Sequence, residues 1–252
     1  MNPNIEIMAL SLLSGFDTDP LQLLIQQFFL LLPCIIIVFV AGLVIFSIYY
    51  SYRQAKQRVA DLQRVADELG FEFLPKGDDT FISNRANLYL FSLGRSKQLS
   101  NLMRGKIKNL KAVIFDYQYT TGSGKNRHTR SQTVAGFQLD AASLPTFSLW
   151  PESMWHKVGA WFGYQDINFE GYPVFSKNYL LRGSDQMAIR NLFTDAALMF
   201  LETKLGCCIE GDENWLLFYR HNRRVDPPAI RALLEEGVEV VEMFRLAPGE
   251  EF

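Results

Sequence analysis

The chain has 252 residues, of which 48% are hydrophobic and 21% charged, and its formal net charge is −2. This length is enough for one or two domains with a proper core, and the composition excludes disorder as the overall state. The near-neutral charge also argues against a general nucleic-acid binder. Neither the apolar nor the charged residues are spread evenly along the chain.

The N-terminal segment is apolar and lacks basic residues. No Lys or Arg precedes Arg53, and residues 20–52 contain no charged residue. The run 28–50, as a helix rising about 1.5 Å per residue, reaches roughly 34 Å, which exceeds a hydrocarbon core of about 30 Å. A buried core helix seldom runs this long without a polar face. The sequence therefore predicts a transmembrane helix over 28–50.

The flanking charges predict how this helix is oriented. A cleaved signal peptide begins with a positive region, but here Glu6 and Asp17 precede the apolar run and no basic residue does. Arg53, Lys56 and Arg58 follow it directly, so the positive-inside rule places residues 1–27 outside and the larger C-terminal part in the cytoplasm. Three cysteines, two of them adjacent, also indicate a reducing compartment. We expect a bacterial inner membrane, either the plasma membrane or another energy-transducing membrane.

Residues 51–70 are predicted to continue as a juxtamembrane helix that stops at Gly70. Apolar residues recur at helical spacing, from Ala55 through Leu62 to Leu69. Two heptads are too few for a clear coiled-coil seam, so packing on the chain's own domain is favoured, with a weak homodimer as the alternative.

Residues 71–252 are predicted to form one α+β domain with a mostly antiparallel sheet and two or three helices, because strands and helices follow one another without regular βαβ alternation. The expected strands are 87–93, 103–108, 111–120 and 128–139, the last two joined by the Gly-rich loop 121–127. Helices are predicted over 151–162, from Ser184 or Asp185 to Leu205, and over 227–236. The segment 209–219 reads as a hairpin, and 238–246 as either a strand or a helix.

Sequence motifs identify no catalytic, cofactor-binding or metal-binding residue. The GSGK segment 122–125 fails the phosphate-loop pattern on both sides, and the histidines have no metal-ligand spacing. No nucleophile elbow is present. Asp166 and Glu170 would share one face of a strand and leave a hydrolase as an alternative, although an ordinary polar face explains them equally well. The sequence thus favours a binding protein without a cofactor and leaves enzymatic activity open.

The charge distribution provides the main candidate surface. Residues 85–130 contain ten Lys or Arg and one acid, whereas residues 131–252 contain ten basic residues and seventeen acids. Such a basic region attracts anionic lipid headgroups over a Debye length, or pairs with the chain's own acidic half. Nucleic acid is not expected, because no stacking motif accompanies it. The candidate anionic-surface contacts are Arg104, Lys106, Lys108, Lys125, Arg127 and Arg130.

A second candidate surface is aromatic. Trp155, Trp161 and Phe162 crowd the predicted helix 151–162. A helix facing the core accounts for them, and the alternatives are a helix lying in the membrane interface or a partner-binding patch.

The chain also resembles a group of bacterial membrane-anchored proteins of no known activity. The resemblance rests on an FDYxY…QTV hairpin, here 115–119 and 132–134, and on a downstream F-S-x-x-Y-x-L segment at 175–181. It implies a bacterial origin and a shared domain, and it transfers no activity, cofactor or catalytic residue.

The sequence therefore predicts a single-pass membrane-anchored binding or scaffold protein, an accessory component at the cytoplasmic face of a membrane. Its expected partners are the lipid bilayer and a membrane-protein complex. The alternatives are a domain that senses anionic lipid headgroups through the region 85–130, and a hydrolase.

Overall fold

A computed structural model describes residues 20–139, 144–154 and 166–245. The chain divides into two compact units, one up to Gln57 and the other from Arg58 onward. The first unit is described for residues 20–57, which are helical. The second contains the sheet.

The N-terminal element is a 50-residue helix, α1 (Pro20–Leu69). Its segment Gln27–Leu69 is long and apolar enough to span a membrane, and the most apolar window of that segment has no buried residue. Large apolar side chains are exposed along it from Leu21 to Tyr52. Water is a poor solvent for such a surface, so α1 needs an apolar environment.

The second unit is built on an eight-stranded sheet in which every neighbouring pair is antiparallel, with the order β1-β2-β3-β4-β8-β7-β5-β6. The strands are β1 (Glu72–Leu74), β2 (Arg95–Ile107), β3 (Leu110–Thr121), β4 (His128–Gln138), β5 (Leu144–Pro151), β6 (Tyr179–Gly183), β7 (Cys208–Glu213) and β8 (Trp215–Tyr219). The predicted α+β class with a mostly antiparallel sheet is confirmed.

Helices cover the two faces of this sheet. They are α2 (Asp79–Ser83), α3 (Tyr89–Ser92), α4 (Pro173–Asn178), α5 (Gln186–Leu192), α6 (Asp195–Thr203) and α7 (Ile230–Arg245), with 3-10 turns at Gly124–Asn126, Glu152–Met154 and Pro227–Ala229. Leu62 and Ala66 near the end of α1 share the larger core with α7. On the opposite face, the segment from Phe81 to Leu93 covers a smaller and more aromatic core.

Arg58 connects the last turns of α1 to the centre of the sheet. Its Nε and Nη2 donate to Oδ2 and Oδ1 of Asp116 on β3, both at 2.8 Å, and the Asp116 side chain is only 2% exposed. Asn101 and Thr133 donate to the same carboxylate at 2.9 and 2.7 Å. Burial alone raises the pKa of Asp116, but the bonds and charge of Arg58, with those from Thr133 and Asn101, hold it below its usual value.

The FDYxY and QTV segments supply these contacts and the aromatic core. Asp116 lies opposite Thr133 in the β3–β4 register. Phe115, Tyr117 and Tyr119 alternate with Asp116 and lie in the smaller core. The residues that carry the resemblance therefore have structural roles in this chain.

Two predicted elements are wrong, and a third begins elsewhere. The segment 87–93 contains α3 rather than a strand, and its N-terminal amide is bound by a distant carboxylate that local sequence could not indicate. The helix predicted to run to Leu205 is two helices, α5 and α6, because the Thr194 hydroxyl accepts from the Ala197 amide and starts a new helix. Pro151 ends β5, so the helix predicted over 151–162 does not begin there, and residues 155–162 lie outside the described residues.

The C-terminal part contains one long helix where the sequence predicted a helix over 227–236 and left 238–246 as either a strand or a helix. The helix α7 continues through Gly237 to Arg245. A Cβ at Gly237 would lie 2.4 Å from the Phe137 ring. The glycine is therefore needed for close packing on the sheet rather than for ending the helix.

We predict that Arg58→Met destabilises the second unit by about 3–5 kcal/mol, because the buried Asp116 carboxylate loses its counter-charge while the apolar stem is kept. The measurement is urea unfolding of the full-length protein in a neutral detergent, followed by tryptophan fluorescence. Arg64→Met is the matched control: Arg64 is 67% exposed and pairs with Asp61 on its own helix, so a change of about 0.5 kcal/mol or less is expected. Equal effects of the two substitutions would show that the Asp116 pair has no special role.

Candidate functional site

The β2–β3 hairpin places basic side chains together at one end of the sheet. A two-residue turn at Lys108 and Asn109, both with positive φ, connects Ile107 to Leu110 and sets the register. Lys106 consequently lies directly opposite Lys111, and both share a face with Arg104. Like charges directly opposite one another in a sheet destabilise it, so this register carries a local electrostatic cost.

These side chains line an open groove of about 500 Å³, which we call the basic groove. Its defining residues are Asp78, Arg85, Arg104, Lys106, Lys111 and Trp215. Val113 of β3 and Phe81 of α2 add apolar surface to it. The volume is in the range of small-molecule binding sites, which combine apolar walls with a few polar groups.

Arg85 is held between two rings. Its guanidinium carbon lies 4.0 Å from the centroids of both Phe81 and Trp215, and its Nη1 donates to the Phe81 carbonyl at 3.0 Å. Its Nε is buried with no hydrogen-bond partner among the described residues. Burial, and then the nearby charge of Arg104, lower the pKa of Arg85. The charge of Asp78 acts in the opposite direction on the pKa of Arg85, so both guanidinium groups and this carboxylate lie within electrostatic range of one another.

Asp78 is the one carboxylate among the described residues that line the groove. It begins α2 by accepting from the Thr80 amide at 3.0 Å, and it forms an ion pair with Arg104. The hydrogen bonds from Thr80 and Arg104 lower its pKa. Among the described residues, one carboxylate lies with Arg85, Arg104 and Lys106, so positive charge is in excess at the groove.

The predicted surface contacts divide into separate places. Arg104 and Lys106 line the basic groove, as described. Lys108 does not share their face, because β2 ends at Ile107, and its ammonium lies 3.4 Å from Glu242 of α7. Lys108 therefore pairs with the acidic half of the chain, in line with the second interpretation of the basic region.

Lys125, Arg127 and Arg130 lie at the other end of the hairpin. Lys125 is in the 3-10 turn at its tip, and Arg130 lies opposite Tyr119. From Lys111 to Thr121 the strand β3 runs roughly 34 Å at about 3.4 Å per residue, so these residues do not join the groove. The predicted aromatic contacts Trp155, Trp161 and Phe162 lie outside the described residues.

Sequence reasoning missed Arg85, Lys111 and Trp215. The Lys106–Lys111 pairing could have been found, since two predicted strands separated by a short turn fix the register. Trp215 reaches the groove because β8 pairs with β4, a contact between segments far apart in sequence.

A buried carboxylate, Glu210 of β7, lies in the smaller core. It is fully buried and accepts from the Leu90 amide at 2.9 Å, the Tyr219 hydroxyl at 2.5 Å and the Trp150 indole at 3.4 Å. The Leu90 bond places a carboxylate at the N-terminus of α3 and so fixes α3 on the sheet. Burial outweighs these bonds and raises the pKa of Glu210 to about 7.

The structure also places the remaining candidate residues of the sequence analysis. Asp166 accepts from the Leu181 amide at 3.2 Å, whereas Glu170 is exposed. Cys207 and Cys208 are free and buried, and burial raises the pKa of both thiols. Within the described ranges no group of three His, Cys, Asp or Glu residues is arranged to hold a metal ion.

Comparison with known proteins shows a similarity of fold to a solved structure. The chain matches no protein-family profile and no curated protein. It is similar to the crystal structure of the mycobacterial trehalose monomycolate transport factor A, TtfA, with a TM-score of 0.54 and 15% sequence identity. The match covers 74% of this chain and 91% of that one, and at this identity it shows a shared fold.

We predict that Glu210 makes stability depend on pH. The pKa is about 7 in the folded protein against 4.5 for the free group, so the folded state holds the proton more tightly. The contribution of Glu210 to the free energy of unfolding is complete below about pH 4.5 and is lost as pH rises to about 7. The free energy of unfolding changes by on the order of 3 kcal/mol over this range.

Urea unfolding of wild type and Glu210→Gln between pH 4.5 and 8 measures this effect. Relative to the variant, which cannot titrate at this position, the wild type should lose stability as pH rises. Glu170→Gln, at an exposed carboxylate, is the control and should follow the wild type. A constant difference between wild type and Glu210→Gln across the range would contradict the assignment.

Proposed function

We propose that this chain is a single-pass membrane-anchored accessory protein whose α+β domain binds other components at the cytoplasmic face of a bacterial membrane. The observation that carries the proposal is α1: its exposed apolar surface requires a bilayer, and its last turns form part of the folded core of the second unit. A protein with both features presents a folded domain close to a membrane.

The fold likeness supports an accessory role. The similar structure is that of a transport factor, and the match covers 74% of this chain. The resemblance to bacterial membrane-anchored proteins, and the absence of basic residues before Arg53, support a bacterial inner membrane with residues 1–27 outside. We infer a membrane-protein complex as the partner.

We predict that external protease removes an N-terminal epitope tag from cells with a permeabilised outer layer, while a C-terminal tag stays protected until the membrane is lysed. The physical reason is the basic cluster after the span, which is retained on the cytoplasmic side. Immunoblotting of both tags, with a known cytoplasmic protein as the integrity control, gives the result. Digestion of the C-terminal tag before the membrane is lysed would contradict the proposed topology.

We further predict that the full-length tagged protein, isolated from its native membrane in mild detergent, carries a membrane protein at a fixed stoichiometric ratio. Mass spectrometry and size-exclusion chromatography measure that ratio. An unrelated tagged single-pass protein from the same membrane is the control for adventitious capture. Recovery of the chain alone would count against the accessory role.

A further inference from the structure

The basic groove combines features that a structural surface does not need. Lys106 and Lys111 oppose one another across the hairpin, Arg104 follows on the same face, and Arg85 approaches Arg104 closely enough for their charges to interact. Cations held this close together repel one another unless an acid of the chain or a bound anion lies near them. Local rules are broken in this way at functional sites.

The ion pairs among the described residues leave the charge of Lys106 available. Asp78 pairs with Arg104, and Lys106 has no ion-pair partner in the part of the chain that the structure describes. Lys106 is exposed at the groove, so its ammonium has rotational freedom to reach a bound anion. Compact multivalent anions such as phosphate match converging guanidinium and ammonium groups.

The walls of the groove add a second element of recognition. Trp215 lies opposite Gln138 at the end of β8, with its ring held by Arg85, and Val113 lies on the same sheet face. A ligand that places an anion at Lys106 therefore has apolar surface next to it. Free inorganic phosphate would leave that surface unused.

We propose that the basic groove binds a phosphate group attached to an apolar body, and that its source is an anionic membrane phospholipid. Lys106 and Arg104 contact the phosphate, Lys111 adds to the positive potential, and Trp215 and Val113 contact the apolar part. The choice of a lipid rests on the membrane anchoring proposed above, whereas the binding chemistry rests on the groove itself.

Soluble probes test the chemistry without a membrane. The full-length protein in a neutral detergent is titrated with phenyl phosphate, inorganic phosphate and phenol at 150 mM salt, and tryptophan fluorescence is recorded because Trp215 lines the groove. We expect saturable binding of phenyl phosphate, about tenfold tighter than inorganic phosphate because of apolar contact, and no binding of phenol.

Two variants with the same charge change locate the site. Lys106→Glu should weaken phenyl phosphate binding about tenfold or more, because a charge-assisted contact becomes repulsive. Lys125→Glu, at the far end of the hairpin, should stay within about twofold, because the separation exceeds a Debye length of about 8 Å. Lys106→Gln is a second variant in case Lys106→Glu misfolds, and it should weaken binding to a smaller extent. Urea midpoints that match the wild type verify that each variant is folded.

Lipid extracts of the purified proteins identify the source. We expect mass spectrometry to find anionic phospholipid retained by wild type and Lys125→Glu and depleted in Lys106→Glu. Equal retention by all three proteins, with phenyl phosphate binding intact, would overturn the lipid source in favour of a free phosphate compound. Equal loss of phenyl phosphate binding in Lys106→Glu and Lys125→Glu, or no saturable binding, would overturn the groove itself. None of these results depends on the capture of a protein partner.

Discussion

The buried ion pair between Arg58 and Asp116 is the interaction on which the arrangement of the second unit depends. The guanidinium reaches the carboxylate from the last turns of α1, and Asn101 and Thr133 complete its hydrogen bonds. Thr133 in turn accepts from the Val225 amide, so the same network reaches the segment that leads into α7. Because a buried carboxylate is costly without a counter-charge, loss of the Arg58 guanidinium would destabilise this arrangement.

The two faces of the sheet carry different hydrophobic cores. One face carries the larger core under α1 and α7, and the other carries an aromatic core under the Phe81–Leu93 segment. Glu210 holds this segment in place through the Leu90 amide, at the cost of a desolvated carboxylate. The basic groove lies where the same segment meets the β2–β3 end of the sheet, since Phe81 and Arg85 belong to the segment and Lys106 and Lys111 to the hairpin.

The charge asymmetry of the chain thus has more than one structural explanation. Lys108 pairs with Glu242 from a distant segment, and Arg104 pairs with Asp78. Lys106 remains at the groove, while Lys125 and Arg127 stay exposed at the hairpin tip. A count of basic residues in a window cannot separate these cases, because pairing depends on which acids the fold brings near.

The sequence by itself determined the apolar helix, the antiparallel α+β class and the β3–β4 and β7–β8 hairpins, because these follow from local composition, periodicity and turn residues. It could not determine that the segment 87–93 contains a helix, that Gly237 lies inside α7, or that Arg58 is an internal counter-ion. Each of these depends on a group distant in the chain: the Glu210 carboxylate, the Phe137 ring and the Asp116 carboxylate. Only the tertiary structure brings such groups together, and the groove between the Phe81–Leu93 segment and the β2–β3 hairpin exists for the same reason.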